Sequence, residues 1–133
     1  MSPRVWVLVT NFNGAAWLPR CLNSLMATRY PELHVVLIDN GSSDDSVAVA
    51  RAVSPRVEIL ANDANHGFCQ ANNLAIARAL ERGAHYIALL NNDTYVESDW
   101  IDRLVEVGEQ AGDVGILGPA QLVFDGKAFN SWM

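Results

Sequence analysis

Short apolar runs alternate along this chain with segments of helical periodicity. The runs are Val5-Trp6-Val7-Leu8-Val9, Val35-Val36-Leu37-Ile38, Val57-Glu58-Ile59-Leu60 and Tyr86-Ile87-Ala88-Leu89-Leu90, with a weaker fifth at Val114-Gly115-Ile116-Leu117. Nearly continuous apolar character suits strands buried on both faces of a parallel sheet. Between the first two, Leu18, Cys21, Leu22 and Leu25 keep the spacing of one helix face, and Pro19 is tolerated there only in a first turn. Ser43 or Asp44 is placed to cap a second helix carrying Val47, Ala48 and Ala52. The Ala-rich stretch from about Phe68 to Arg82 predicts a third, with Leu74, Ala75 and Leu80 toward the core and Gly83 as its stop. A fourth begins at Ser98 or Asp99 and sets Ile101, Leu104, Val105 and Gly108 on one face.

Strand and helix alternation of this kind predicts an α/β fold, Rossmann-like, with a mostly parallel central sheet and helices on both faces. Neither repeats nor linkers interrupt it, so residues 1–133 read as part of a single domain. Leu122-Val123-Phe124 resembles another strand start and Asp125-Gly126 a turn, after which the chain stops without a terminal helix or polar tail. The expectation is a domain truncated at its C-terminus.

Composition narrows the function classes. Of 133 residues, 50% are hydrophobic and 18% charged, enough for a real core and unlike a disordered chain. A net charge of -6 without any Lys/Arg cluster argues against nucleic acid as a partner. No apolar run reaches the roughly 18 residues of a membrane span, and no signal-peptide pattern opens the chain. Cys21 and Cys69 lack metal-ligand spacing and fit a reducing cytoplasm.

The polar residues collect after the predicted strands, where open α/β sheets bind their ligands. Thr10-Asn11-Phe12-Asn13-Gly14 follows the first strand, Asp39-Asn40-Gly41-Ser42-Ser43-Asp44 the second, Asn62 to Phe68 the third and Asn91-Asn92-Asp93-Thr94 the fourth. Asp39 could accept hydrogen bonds from a nucleobase imide or a ribose hydroxyl, although its loop reads equally as a turn. Asp93 offers the carboxylate that anchors a divalent cation on a substrate phosphate. Gly67 opens a helix whose N–H groups could face an anion. Lys127 is the lone lysine, so phosphate charge must be met by a cation, helix ends or the eight arginines. Asn72 and Asn73 are poor helix formers and suggest a ligand contact. Nucleophile templates fail: no GxSxG occurs, Cys21 sits at a packing position, and Cys69 beside His66 reads as chance proximity. His34 and His85 read as surface residues, and Trp6 and Trp17 as core.

Taken together these blocks resemble the family 2 glycosyltransferases of GT-A fold, from Val5 to about Gly118. The carriers are Val7 to Gly14, Leu22-Asn23-Ser24-Leu25 with Tyr30-Pro31, Val36 to Asp44, Asn65-His66-Gly67-Phe68 through Asn72-Asn73-Leu74-Ala75, and Leu89-Leu90-Asn91-Asn92-Asp93-Thr94. The Asn-Asn-Asp form and the NxGF block look most like bacterial rhamnosyltransferase-type members that build surface polysaccharides. The resemblance implies an inverting, metal-dependent transfer from a nucleoside diphosphate sugar to a glycan or lipid-linked acceptor. It implies that Thr10 and Phe12 line the base pocket, and that Asp39 and Asn40 with Gly67, Asn72 and Asn92 contact the donor. Asp93, with Asn91 in place of the first Asp of a DxD motif, would hold Mg²⁺ or Mn²⁺. The family's carboxylate base lies beyond this chain, so no catalytic base is assigned and the chain alone is expected to be inactive. The implied setting is the cytoplasm, at the inner face of the membrane in a full-length protein, and an exposed apolar face could drive self-association.

A non-catalytic nucleotide-binding or interaction domain of the same fold is the alternative. A sugar nucleotidyltransferase lacks its basic Gly-rich first loop here, and a phosphorelay receiver lacks its late-strand lysine.

Overall fold

In a computed structural model, described for residues 1–123, each of the four strong apolar runs is a strand. The order is β1 (Val5–Asn11), α1 (Leu18–Met26), β2 (Leu33–Asp39), α2 (Ser46–Val53), β3 (Val57–Ala61), α3 (Phe68–Glu81), β4 (Tyr86–Asn91) and α4 (Trp100–Gln110). The sheet runs β3-β2-β1-β4 and its pairings are all parallel. β1 therefore lies between β2 and β4, with Asn11 in register with Asp39 and Thr10 with Asn91. The central pair is the most deeply buried, because alternate residues feed two separate cores.

On one face Val5, Val7, Val9, Val35 and Leu37 pack under α1, α2 and α4. Leu18, Cys21, Leu22 and Leu25 of α1 are fully buried there, and Pro19 occupies the first turn as its missing N–H allows. On the other face Trp6, Leu8, Val36 and Ile38 meet α3 through Ala71, Ala75 and Ala79. Small alanines let α3 lie close to the sheet.

That packing corrects three expectations. Leu74 and Leu80 are 58% exposed, since the close face of α3 is its alanine stripe and the leucines turn outward. In α2 the inward residues are Ser46 and Ala50, with Val49 and Val53 against the core, while Ala48 and Ala52 are exposed and Val47 is only half-buried. The periodicity was offset because α2 begins later than expected, with Asp45 as its N-cap residue; Asp44 still accepts the Ser46 N–H at 3.0 Å. Trp17 is also 53% exposed at the N-cap of α1 rather than in the core. Trp6 is buried as expected, its ring stacked on His34 of β2 and covered by the Arg82 guanidinium.

Gly83 follows α3 with φ +80, the left-handed stop that a Cβ resists. α4 starts after Asp99, which pairs with Arg103 at 2.7 Å, and turns Ile101 inward. Val114 to Leu117 forms no strand: Ile116 is 93% exposed, and the run is broken by Gly115. Instead this segment helps wall an apolar groove of about 380 Å³ with Tyr86, Ile101 and Gly108. Leu122 makes a single bridge; Phe124 and the Asp125-Gly126 turn lie outside the described residues. Among the described residues, no helix is long and apolar enough to cross a membrane.

Candidate functional site

A parallel sheet sends all its strand C-termini to one edge, and here that edge carries an open cleft of about 340 Å³. Thr10 reaches it from β1 and Phe12 from the loop after it, Asn40 from the loop after β2, Asn65 from the β3–α3 connection, Phe68 from the first turn of α3, and Asn91, Asn92 and Asp93 from β4 and its loop. Phe12 and Phe68 are 50% and 55% exposed, so two aromatic faces stand open to a ligand. Asp93 is the sole carboxylate among these lining residues.

Beneath the cleft lies a network of carboxamides. Asn11, 1% exposed, donates through Nδ2 to Asp39 Oδ1 at 2.9 Å and to Ser42 Oγ at 3.2 Å. Its Oδ1 accepts from Asn92 Nδ2 at 2.7 Å. Asp39 also accepts from the Ser42 hydroxyl at 2.6 Å and the Ser42 N–H at 3.1 Å. A buried carboxylate with this many donors is a satisfied one. Asn40 Oδ1 accepts from Asn62 Nδ2 and the His66 N–H, while its Nδ2 donates to Asn65 Oδ1 at 2.8 Å. Asn65 Oδ1 also takes the Gly67 N–H at 2.9 Å.

Six of the expected residues thus line the cleft: Thr10, Phe12, Asn40, Asn91, Asn92 and Asp93. Asp39 and Asn72 stand behind it. Asn72 accepts from the Thr10 hydroxyl at 3.1 Å and donates to the Phe68 carbonyl at 2.9 Å, which explains an asparagine buried inside a helix. Gly67 is the N-cap residue of α3, and its own N–H is committed to Asn65. Asn11, Asn65 and Phe68 belong to the loops expected at this edge, but the sequence pattern assigns none of them an individual role. The signal for Asn11 was its place as the last residue of the central strand, where a polar side chain must be buried.

Charge around the cleft follows the same geometry. Asp44, exposed, is held below the usual carboxylate range by the Ser46 hydroxyl and then by the Ala15 N–H. Burial, with a smaller push from Asp93, raises the Cys21 thiol to about 12, so that side chain is a neutral packing group. Asp63 is lowered by its bond to His66, which leaves His66 engaged away from Cys69.

The family's implied Mg²⁺ or Mn²⁺ can be tested against the donor set. No group of three or more His, Cys, Asp or Glu side chains able to enclose an ion occurs among the described residues. One carboxylate beside carboxamide oxygens instead suits a hard cation that takes its other ligands from phosphate and water. The residues present fit such an ion.

Comparison with known proteins now decides the family. The profile described as Glycosyl transferase family 2 matches residues 6–133. The chain belongs to that family. Succinoglycan biosynthesis protein ExoO of Rhizobium meliloti (strain 1021) is 33% identical over 111 residues, covering 83% of this chain and 31% of ExoO. Glycosyltransferase GlyG of Streptococcus pneumoniae serotype 4 is 29% identical over 120 residues, covering 87% of this chain and 39% of GlyG. The chain therefore spans about a third of the length of these relatives. Among solved structures, S. aureus TarS 1-349 in complex with UDP-GlcNAc superposes with a TM-score of 0.72 at 17% identity, over 86% of this chain and 37% of that one. Mannosyltransferase PcManGT from Pyrobaculum calidifontis, in complex with GDP-Man and Mn²⁺, gives 0.72 at 23% identity, over 80% and 32%. These likenesses establish the GT-A glycosyltransferase fold.

Proposed function

We propose that this chain is the donor-binding part of an inverting glycosyltransferase that takes a nucleoside diphosphate sugar and, with the rest of its domain, transfers the sugar to an acceptor hydroxyl. The observation that carries this is the cleft itself: at the C-terminal edge of a parallel sheet its lining combines two exposed aromatic side chains with a single carboxylate. Phe12 and Phe68 offer stacking surfaces for a base, and the Thr10 hydroxyl, which also lines the cleft, is held by Asn72. Asp39 acts from below, through Ser42 and Asn11, to set the shape of that end. Asp93 with Asn91 would hold Mg²⁺ or Mn²⁺ at the diphosphate, and the ion, when bound, neutralises charge on the departing group. Among the described residues no arginine or lysine lines the cleft, so that charge would be left to the ion.

The name of ExoO, a succinoglycan biosynthesis protein, supports a role in polysaccharide synthesis, with a glycan or lipid-linked acceptor as part of this proposal. The Asn91-Asn92-Asp93 form supports a rhamnosyltransferase-type member working from the cytoplasmic side of the membrane. The rival, a non-catalytic nucleotide-binding domain, draws on how fully Asp39 and Asn40 are engaged by their own neighbours. Calorimetric titration with UDP, dTDP and GDP, with and without Mn²⁺, separates the two when repeated on Asp93→Ala. Metal-enhanced binding of one nucleotide that Asp93→Ala abolishes supports the donor site. Binding indifferent to both metal and Asp93 supports the rival.

A further inference from the structure

We infer that Asn11 is a positioning residue that couples the two ends of the cleft, so that the Asp39 loop and the Asn91–Asp93 loop take up their ligand-binding geometry together. This deepens the donor-site reading and rests on it. Asn11 is the last residue of the central strand and stands in register with Asp39 of β2, while its neighbour Thr10 stands opposite Asn91 of β4. Its buried carboxamide touches both sides: Nδ2 reaches Asp39 and Ser42, and Oδ1 receives Asn92.

The direction of these bonds is dictated by charge. A carboxylate only accepts, so Asn11 must turn its NH₂ toward Asp39 and its oxygen toward β4. Asn92 must then donate, which turns its NH₂ toward Asn11 and leaves its carbonyl oxygen outside that bond. A negative charge at the β2 end thereby fixes which way the carboxamide at the β4 end is turned. Gly14 closes the arrangement: a Cβ there would lie 2.2 Å from Asn92 Nδ2 and 2.3 Å from Asn11 Oδ1. The loop must pass over the relay without a side chain. Asn11 also accepts the Asn40 N–H on its carbonyl at 2.8 Å, so its backbone as well as its side chain grips the β2 loop.

The test leaves Asn11 itself intact and perturbs the two ends of the relay. Ser42→Ala, Asn92→Ala and the double variant of the full chain are titrated with UDP, dTDP and GDP, with and without Mn²⁺, after thermal melts show all three folded. No bond joins Ser42 to Asn92, so separate roles would give multiplying losses of affinity. Coupling through Asn11 predicts that the double variant departs from that product by about threefold or more in metal-free affinity. It also predicts that Ser42→Ala, which removes a side chain outside the lining of the cleft, weakens the Mn²⁺ enhancement, which a purely structural fastening would leave unchanged. Losses that multiply, with the Mn²⁺ enhancement of Ser42→Ala equal to wild type, overturn the relay but leave the donor site standing. Absence of nucleotide binding in the wild-type chain overturns the donor site and the relay with it.

Discussion

Gly41→Ala is the substitution for which the structure gives the sharpest expectation. Gly41 sits between Asn40 and Ser42 with φ +78, a region where an L side chain costs about 1–2 kcal/mol. A Cβ there would also meet backbone, at 2.6 Å from the Ala64 carbonyl carbon, 2.8 Å from Ala64 Cα and 2.9 Å from the Asn65 nitrogen. Backbone cannot swing aside as a side-chain tip can, so an overpacking cost of about 1–3 kcal/mol is added. Restricting the unfolded chain returns about 0.4–1 kcal/mol, leaving a net loss of roughly 1–5 kcal/mol. Gly83→Ala isolates the conformational part, because its φ of +80 is similar but among the described residues its one close neighbour is the Arg4 guanidinium at 3.0 Å. Gly112→Ala, with nothing within 4 Å, is the blank. Urea unfolding followed by circular dichroism is the assay, and a slope of about 2 kcal/mol/M places the Gly41→Ala midpoint roughly 0.5–2.5 M below wild type. The reasoning predicts that Gly41→Ala loses clearly more than Gly83→Ala, and Gly112→Ala almost nothing. Equal losses at Gly41 and Gly83 would refute the close approach of the two loops.

Other consequences follow from packing and charge. Leu22→Ala, in the fully buried face of α1, is expected to cost about 2–5 kcal/mol, whereas Leu80→Ala, 58% exposed, stays within about 0.5 kcal/mol in the same urea assay. In native buffer a thiol reagent should titrate Cys69 and spare Cys21, which reacts only on unfolding. The Cys21 thiol is raised on folding from 9.0 to about 12, so its contribution is whole below the lower value and is lost as pH climbs through the upper. Stability measured across that alkaline window should therefore fall less in Cys21→Ala than in wild type. Asp44 is lowered on folding, so the stability it adds is present above 3.8 and disappears as pH drops further. The gap between wild type and Asp44→Asn should accordingly be open at neutral pH and close in acid.

What the sequence revealed and what it hid have physical reasons. β1, β2, β3 and β4 were legible because strands of a parallel sheet must be apolar almost without interruption, and α1 because four fully buried residues keep strict helical spacing. α3 misled because a helix lying close to a sheet needs small residues on its near face, so Ala71, Ala75 and Ala79 took the place that hydrophobicity assigns to Leu74 and Leu80. Val114 to Leu117 misled because an apolar run with Gly115 inside it can as well fold over a groove as pair with a strand. At the site, the loops that meet were legible from topology, since strand C-termini share an edge. The division between residues that line the cleft and residues that brace it was not. Asp39, Asn11 and Asn72 differ from Asn92 and Asp93 only in burial, and burial of a polar side chain depends on partners distant in sequence, such as Thr10 with Asn72 or Asn11 with Asn92.

The central claim is that a cation and a nucleotide meet at the strand edge beside Asp93. Paramagnetic broadening of backbone amide resonances by Mn²⁺ in the presence of the tightest-binding nucleoside diphosphate tests this most directly. The account predicts loss of signal centred on Asn91 to Thr94 and spreading to Thr10 and Phe12, absent when Mg²⁺ replaces Mn²⁺ and absent in Asp93→Ala. Broadening centred instead on the exposed carboxylates of α4, Glu106 and Glu109, and unchanged by Asp93→Ala would contradict it.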